Sequence, residues 1–214
     1  MDDIFRTYFE AADHVGDLLE DSETAKRWDD PSALRGVSVG GLAAHLMHGV
    51  AHIHHLLDGP DEDADAPIVG HGEYIASFKM ESFDADIHRY LRDKAEHSAT
   101  YGHEATADRF RELVATLRDR LQTESGRRIL DLRPTLPWGI SLEDRVRVNM
   151  MDLVVHADDL AVSLGRSGDE TPGAASSVAI DVLMAGARFQ HGDRAVIRAL
   201  ARRERSAEEV FPVL

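Results

Sequence analysis

Hydrophobic positions recur with the three-to-four-residue period of an α-helix along most of the chain, and runs of β-branched residues are scarce. The first amphipathic stretch covers about residues 3–27, where Ile4, Tyr8, Ala11, Val15 and Leu18 fall on one face. The same reasoning predicts helices over 39–57, a helical stretch over 73–124 that is interrupted near 79–82 and at Tyr101-Gly102, and helices over 142–164, 174–190 and 193–203. The pattern therefore predicts an all-α fold.

The breaks between these helices predict how the chain is organised. Residues 58–72 are acidic and rich in Pro and Gly, which is typical of a surface loop. Residues 125–140 predict one short strand at 128–132. We expect a four-helix bundle over residues 1–165, followed by a short helical C-terminal extension over 166–214.

Composition narrows the class of protein. The chain has 214 residues, a hydrophobic fraction of 43% and a net charge of −15, which suit a globular domain and disfavour nucleic acid and anionic membranes as partners. It has no cysteine, so a disulfide scaffold, a thiolate zinc site and a cysteine nucleophile are excluded. The acidic N-terminus lacks the basic residues of a secretory signal, so we expect a cytoplasmic protein.

The second predicted helix carries an unusual ridge of histidines, formed by His45, His48, His52 and His55, whereas His54 points elsewhere. A solvated polar face is the simplest interpretation for His52, His54 and His55. His45 differs, because it borders the apolar arc and can turn into the bundle. For His48 both interpretations stay open.

The fourth predicted helix carries a narrow polar line: Arg145, Asn149, Asp152, His156 and Asp159. Apolar side chains flank this line on both sides, so we expect it to face the interior. Burying these groups costs several kcal/mol per charge unless something compensates. A divalent cation would compensate, and a hydrogen-bonded Asp–His pair without metal is the alternative.

Asp152 and His156 stand at i and i+4, so their side chains converge. With His45 from a facing helix they predict a three-ligand metal site, whose open positions are typical of a catalytic centre. The ligand types favour zinc, and nickel, iron or manganese are also compatible. Asp159 either orients an imidazole or is a solvated acid.

Two segments resemble a known family. Residues 28–46 read WDDPSALRGVSVGGLAAHL, and the second segment runs from Pro137-Trp138-Gly139 through DLVVHADDLA at 152–161 to Leu164-Gly165. Both resemble the mycothiol-dependent maleylpyruvate isomerase family, within the DinB-like superfamily of metal-dependent thiol transferases. The resemblance implies a bundle that holds a divalent metal, usually zinc, and binds the thiol mycothiol.

By this resemblance, His45, Asp152 and His156 occupy the metal-ligand positions. The chain departs from the family at Asp152, where glutamate is typical, and about 50 residues follow Gly165 where the isomerase has a larger domain. We therefore expect thiol transfer more than isomerisation of maleylpyruvate. Arg145 is a candidate anchor for a substrate carboxylate, with a surface salt bridge as the alternative, and Trp138 and His48 are candidates for the cofactor pocket.

The functional expectation is an enzyme that activates the thiolate of mycothiol, or of a similar thiol, for S-transfer to, or isomerisation of, a small electrophile. Asp159 and Arg145 are its candidate catalytic residues. The alternatives are a non-catalytic DinB-like protein that binds a thiol or another small molecule in stress response, and a hydrolase that uses metal-bound water. We expect a monomer or homodimer.

Overall fold

Four long helices form the bundle in the computed structural model, which describes residues 3–59, 67–79, 86–133, 136–168 and 171–201. They are α1 (Asp3–Glu20), α3 (Val39–Leu57), α6 (His103–Arg120) and α7 (Leu142–Ser163). Helices α1 and α3 each pack against both α6 and α7, so the four close into a ring. Phe5, Phe9, Leu42 and Phe110 are fully buried inside it. The predicted all-α, DinB-like bundle is confirmed.

The first predicted helix is split in two. Helix α1 ends at Glu20, and Asp21 accepts a hydrogen bond from the Glu23 backbone N–H at 2.8 Å to cap α2 (Ser22–Lys26). The Thr24 hydroxyl donates back to the Leu18 carbonyl oxygen at 2.7 Å. Short polar side chains of this kind satisfy backbone groups locally and end a helix that apolar periodicity alone would extend.

The interrupted third stretch consists of α4 (His71–Lys79), α5 (Asp86–Ala99) and α6. The predicted break at Tyr101-Gly102 is confirmed, and Gly102 adopts a positive φ of 92°. The other predicted break, near 79–82, falls largely outside the described residues. Helix α5 packs against α3, where Glu96 accepts hydrogen bonds from the backbone N–H and the hydroxyl of Ser38, the N-cap of α3.

A small sheet lies at the start of α7. Its strands are β1 (Ile68–Val69), β2 (Ile129–Asp131) and β3 (Gly139–Ser141), with β3 in the centre, parallel to β1 and antiparallel to β2. The predicted strand at 128–132 is confirmed as β2. The predicted surface loop over 58–72 is wrong in its last part, because β1 and the start of α4 lie there; residues 60–66 are outside the described residues. Strands of two or three residues are too short to show the alternation of apolar and polar side chains from which a strand is predicted.

The C-terminal part contains α8 (Gly173–His191) and α9 (Asp193–Ala201), close to the two predicted helices. Helix α8 packs against α4 and α7, so it covers one flank of the bundle. The division into units at residues 165 and 166 stays a prediction. In the part of the chain that the structure describes, no helix combines the length and apolarity needed to cross a bilayer.

Helices α3 and α7 approach closely at Gly49. A Cβ atom built on Gly49 would lie 2.5 Å from Nδ2 of Asn149. The Asn149 side chain is 1% exposed and accepts a 2.8 Å hydrogen bond from the Tyr8 hydroxyl, so it has little freedom to move aside. The missing side chain of Gly49 therefore sets the distance between the two helices that carry the candidate ligands.

This close approach predicts that Gly49→Ala destabilises the protein by about 1–3 kcal/mol, because the added methyl group overpacks the contact with Asn149. Helix propensity alone would favour alanine by about 1 kcal/mol. Gly173→Ala is the matched control, since a Cβ there meets nothing within 4 Å. Urea unfolding at neutral pH measures both variants. If Gly49→Ala were as stable as Gly173→Ala, α3 and α7 would be able to move apart at no cost in free energy of unfolding.

Candidate functional site

The centre of the candidate site is a pair of histidines, one from each facing helix. The rings of His45 on α3 and His156 on α7 have centroids 4.9 Å apart and planes at 89°. Both side chains are partly buried, and that of His156 is 15% exposed, so the pair lies at the edge of the core. Burial lowers the pKa of His45 to about 3, with smaller effects from His156 and His48, so its imidazole is neutral at physiological pH.

Asp159 fixes the orientation of the His156 ring. Its Oδ2 lies 2.9 Å from Nδ1 of His156. A carboxylate only accepts hydrogen bonds, so Nδ1 of His156 carries the proton of this hydrogen bond, and Nε2 is the ring nitrogen left for a metal. A histidine held in this way by a carboxylate is typical of metal ligands.

Asp152 lies one turn before His156 on the same line of α7 and is partly buried. Burial raises the pKa of its carboxyl group, against the opposing effects of His156 and Arg145. The Asp–His hydrogen bond on this line of α7 is the one between Asp159 and His156. Within the described ranges, no hydrogen bond joins Asp152 to His156. Nor do three His, Asp or Glu side chains there come close enough together to hold a metal ion as they stand.

The two helices run antiparallel and pair along their polar lines. His45 meets His156 at one end, Gly49 meets Asn149 in the middle, and His52 meets Arg145 at the other end. Moving toward the C-terminus of α3 therefore moves toward the N-terminus of α7. The expected inward direction of the α7 line is seen in Arg145 and Asn149, which are 4% and 1% exposed.

Arg145 is buried, and the surface salt bridge considered for it is wrong. Its Nη2 donates a hydrogen bond to Nδ1 of His52 at 3.1 Å, and its guanidinium carbon lies 5.8 Å from the centre of the Tyr74 ring. Nε and Nη1 have no hydrogen-bond partner in the structure as described. Among the described side chains, no carboxylate lies within ion-pair distance of this guanidinium.

Neither candidate for the cofactor pocket is a member of the histidine pair, although His48 lies one turn from His45 on α3. His48 turns toward α5, where its Nε2 hydrogen-bonds the hydroxyl of Ser98 at 3.0 Å. Trp138 precedes β3, at the other end of α7 from His156, and the helix between them spans about 21 Å. Trp138 borders a groove of about 270 Å³ with five other residues: Glu73, Ala76, Ser77, Phe189 and Gln190.

Sequence reasoning missed four residues that shape the site: Tyr8, Gly49, His52 and Tyr74. Tyr8 was expected on the apolar face of the first helix, and Tyr74 was not singled out; only their contacts with Asn149 and Arg145 reveal more. His52 was expected on a solvated face; it is exposed, but its Nδ1 meets Arg145. Pairing α3 and α7 antiparallel around His45 and His156 would have indicated this contact.

The fold and site thus define a helical bundle with a partly buried histidine pair and an acidic residue on two facing helices. The family model described as the mycothiol maleylpyruvate isomerase N-terminal domain matches residues 8–161. The chain belongs to this family. A search of curated proteins and a search of solved structures each found no match.

The environment of His48 predicts part of the pH dependence of folding. Burial, with a smaller effect from Lys94, lowers the pKa of His48 to about 4, whereas an ordinary histidine titrates near 6.5. The unfolded chain therefore takes up a proton that the folded chain refuses, so this contribution is complete above about pH 6.5 and is lost as the pH falls toward 4. We expect His48→Gln to lose less stability than the wild type between pH 7 and pH 4.5.

Urea unfolding of the metal-free proteins at several pH values measures this difference. Ser98→Ala is the control, because it removes the hydrogen-bond partner and leaves the imidazole in place. It should lower stability at every pH and keep the wild-type slope. If the free energy of unfolding changed with pH in the same way for His48→Gln and the wild type, the lowered pKa would not belong to His48.

Proposed function

We propose that this protein is a metal-dependent enzyme that uses mycothiol, or a similar low-molecular-weight thiol, to modify a small electrophile. One observation carries the proposal: the His45 and His156 rings meet at 4.9 Å across α3 and α7, with Asp159 holding the Nδ1 side of His156. Membership of the mycothiol-related family supports the choice of thiol.

The donor set suits a divalent metal. His45 and His156 supply imidazole nitrogens, and Asp152, which has no hydrogen-bond partner among the described residues, supplies the third ligand. Zinc fits this set best, and nickel, iron and manganese accept the same ligands. Asp152 is one methylene shorter than glutamate, so its carboxylate must turn toward the pair to complete the site.

Because the chain has no cysteine, the nucleophilic sulfur comes from the thiol cosubstrate. A bound divalent metal supplies Lewis-acid chemistry that lowers the pKa of a thiol. As metal ligands, His45 and Asp152 would hold the activated thiol at the edge of the core, and Asp159 would keep the His156 ring fixed. In S-transfer the sulfur bonds to the electrophilic carbon, the leaving group departs with its electron pair, and the thiol proton passes to solvent. In isomerisation the new C–S bond breaks again after rotation.

Metal content tests the ligand assignment. We expect the zinc-loaded wild type to retain about one metal ion per chain after dialysis, and His45→Ala and His156→Ala to fall to background. Asp159→Asn should weaken binding about 10- to 100-fold, because the ring of His156 loses its carboxylate partner. His55→Ala is the matched control, an exposed histidine on the same helix. Inductively coupled plasma mass spectrometry measures the metal, and circular dichroism verifies folding.

The length of Asp152 gives a separate prediction. If its reach limits the site, Asp152→Glu should bind zinc at least as tightly as the wild type, and Asp152→Ala should bind it far more weakly. Competition with a chromogenic chelator measures both affinities. Equal affinities of the alanine variant and the wild type would remove Asp152 from the ligand set.

Turnover separates an enzyme from a binding protein. The metal-loaded protein is assayed with mycothiol and 1-chloro-2,4-dinitrobenzene, and a rate above the uncatalysed reaction that is lost in His156→Ala supports the enzyme. Metal binding without turnover of any electrophile in a panel would favour the non-catalytic thiol-binding protein. Metal at background in the loaded wild type would overturn both.

A further inference from the structure

Arg145 has an environment that packing alone does not explain. Only 4% of the residue is exposed, and its one hydrogen bond to a described residue goes to Nδ1 of His52 at 3.1 Å. The buried Nε and Nη1 atoms have no partner in the described parts of the chain. The Tyr74 ring covers the guanidinium at 5.8 Å, a contact that favours a cation without neutralising it.

A buried guanidinium without a counter-ion is costly. Arginine stays protonated in proteins, and an unpaired buried charge costs several kcal/mol. Arg147, two residues further along α7, shows the ordinary arrangement: its side chain is 28% exposed and forms a 2.6 Å ion pair with Glu143. Arg145, by contrast, has no ion-pair partner among the described side chains. An apolar side chain of similar volume would serve packing better at position 145.

The position of Arg145 relates an anion bound there to the proposed metal ligands. Arg145 lies on the same line of α7 as Asp152 and His156, and seven residues of helix separate it from Asp152, about 10 Å along the axis. The line is closed in its middle, where Asn149 packs against Gly49, so a molecule that reaches both ends must lie beside this contact. Its charged group would meet Arg145, and its reactive carbon would lie nearer to His156.

We infer that Arg145 binds a carboxylate of the electrophilic substrate, and that His52 is a positioning residue that holds the guanidinium through Nδ1. This inference rests on the proposed function for its reaction. Because Nδ1 of His52 accepts from an arginine that only donates, it fixes one edge of the guanidinium and leaves Nε and Nη1 for the ligand. Arg145 therefore determines specificity, selecting acids over neutral electrophiles of the same shape.

A matched pair of electrophiles tests the specificity. The zinc-loaded full chain is assayed with mycothiol and either 4-chloro-3-nitrobenzoate or its methyl ester. In both reactions sulfur bonds to the ring carbon that carries chlorine, chloride leaves with the C–Cl electron pair, and the thiol proton passes to solvent. Each kcat/KM is divided by the uncatalysed rate constant. We expect the wild type to prefer the acid and Arg145→Met to lower the acid-to-ester ratio about 10- to 100-fold.

Arg147→Met is the matched control, because it removes an ion-paired arginine from the same helix. It should keep the wild-type acid-to-ester ratio. An unchanged ratio in Arg145→Met would overturn the inference. Arg145→Met should be at least as stable as the wild type in urea without ligand; a loss of stability would assign Arg145 a structural role instead. If the methionine variant does not fold, Arg145→Lys replaces it, since lysine keeps the charge and loses the Nε and Nη1 donors.

A binding measurement without turnover separates this inference from the proposed function. Isothermal titration of the metal-free protein with benzoate should show binding to the wild type and a loss of about 10- to 100-fold in Arg145→Met. Benzoate binding without any thiol turnover would leave the carboxylate subsite in place and overturn the proposed reaction. Thiol turnover without benzoate binding and without a preference for the acid would support the proposed reaction and overturn the carboxylate subsite. Benzoate should inhibit turnover by competing with the acid electrophile. If benzoate competed only with mycothiol, the anion would bind in the thiol site, and the inference would be overturned.

The role of His52 has its own readout. His52→Leu removes the acceptor for Arg145 and should raise KM for the acid severalfold without a matching fall in kcat. His52→Asn offers a side-chain oxygen close to the position of Nδ1 and should restore KM. An equal loss of kcat for the acid and the ester in His52→Leu would contradict a positioning role.

Discussion

The close antiparallel contact of α3 with α7 is the constraint on which the site depends. At its centre the absent side chain of Gly49 admits Asn149, whose Oδ1 also accepts the hydroxyl hydrogen bond of Tyr8 from α1. Three helices are thereby held at fixed distances through one buried amide. On either side of this contact, His45 meets His156 and His52 meets Arg145. A shift of one turn along either helix would separate both pairs.

The bundle was predictable because its helices are long and strongly periodic, and because Ser38 and Ser141 cap α3 and α7 where sequence reasoning placed their starts. The inward direction of the α7 line was predictable from its apolar flanks. The division of the first helix at Asp21 and the short strands β1 and β3 were not, since they depend on a few local hydrogen bonds or on partners distant in the chain. Periodicity carries neither kind of information.

The candidate site was predictable only in part, and for a related reason. Helical spacing gives the face on which His45, Asp152 and His156 lie, but it does not give the distance between side chains on different helices. It likewise left the role of His48 open, and only the structure shows that its imidazole hydrogen-bonds the hydroxyl of Ser98 on α5. Among the described side chains, no carboxylate lies within ion-pair distance of Arg145, and a sequence cannot show which side chains surround a residue in space.

The polar line of α7 divides into two halves with opposite electrostatic needs. Around His156 and Asp152 it offers lone pairs and a carboxylate, which suit a cation, whereas at Arg145 it offers hydrogen-bond donors, which suit an anion. Between the halves, Oδ1 of Asn149 accepts a hydrogen bond from the Tyr8 hydroxyl, so this polar group has a partner within the protein and separates the two ends. Each end is costly to bury, because Asp152 has no hydrogen-bond partner and Arg145 has no ion-pair partner among the described residues. A bound metal would neutralise one end, and an acidic substrate would neutralise the other. The free energy that burial of these groups costs the empty protein would then be recovered as binding free energy for two different ligands.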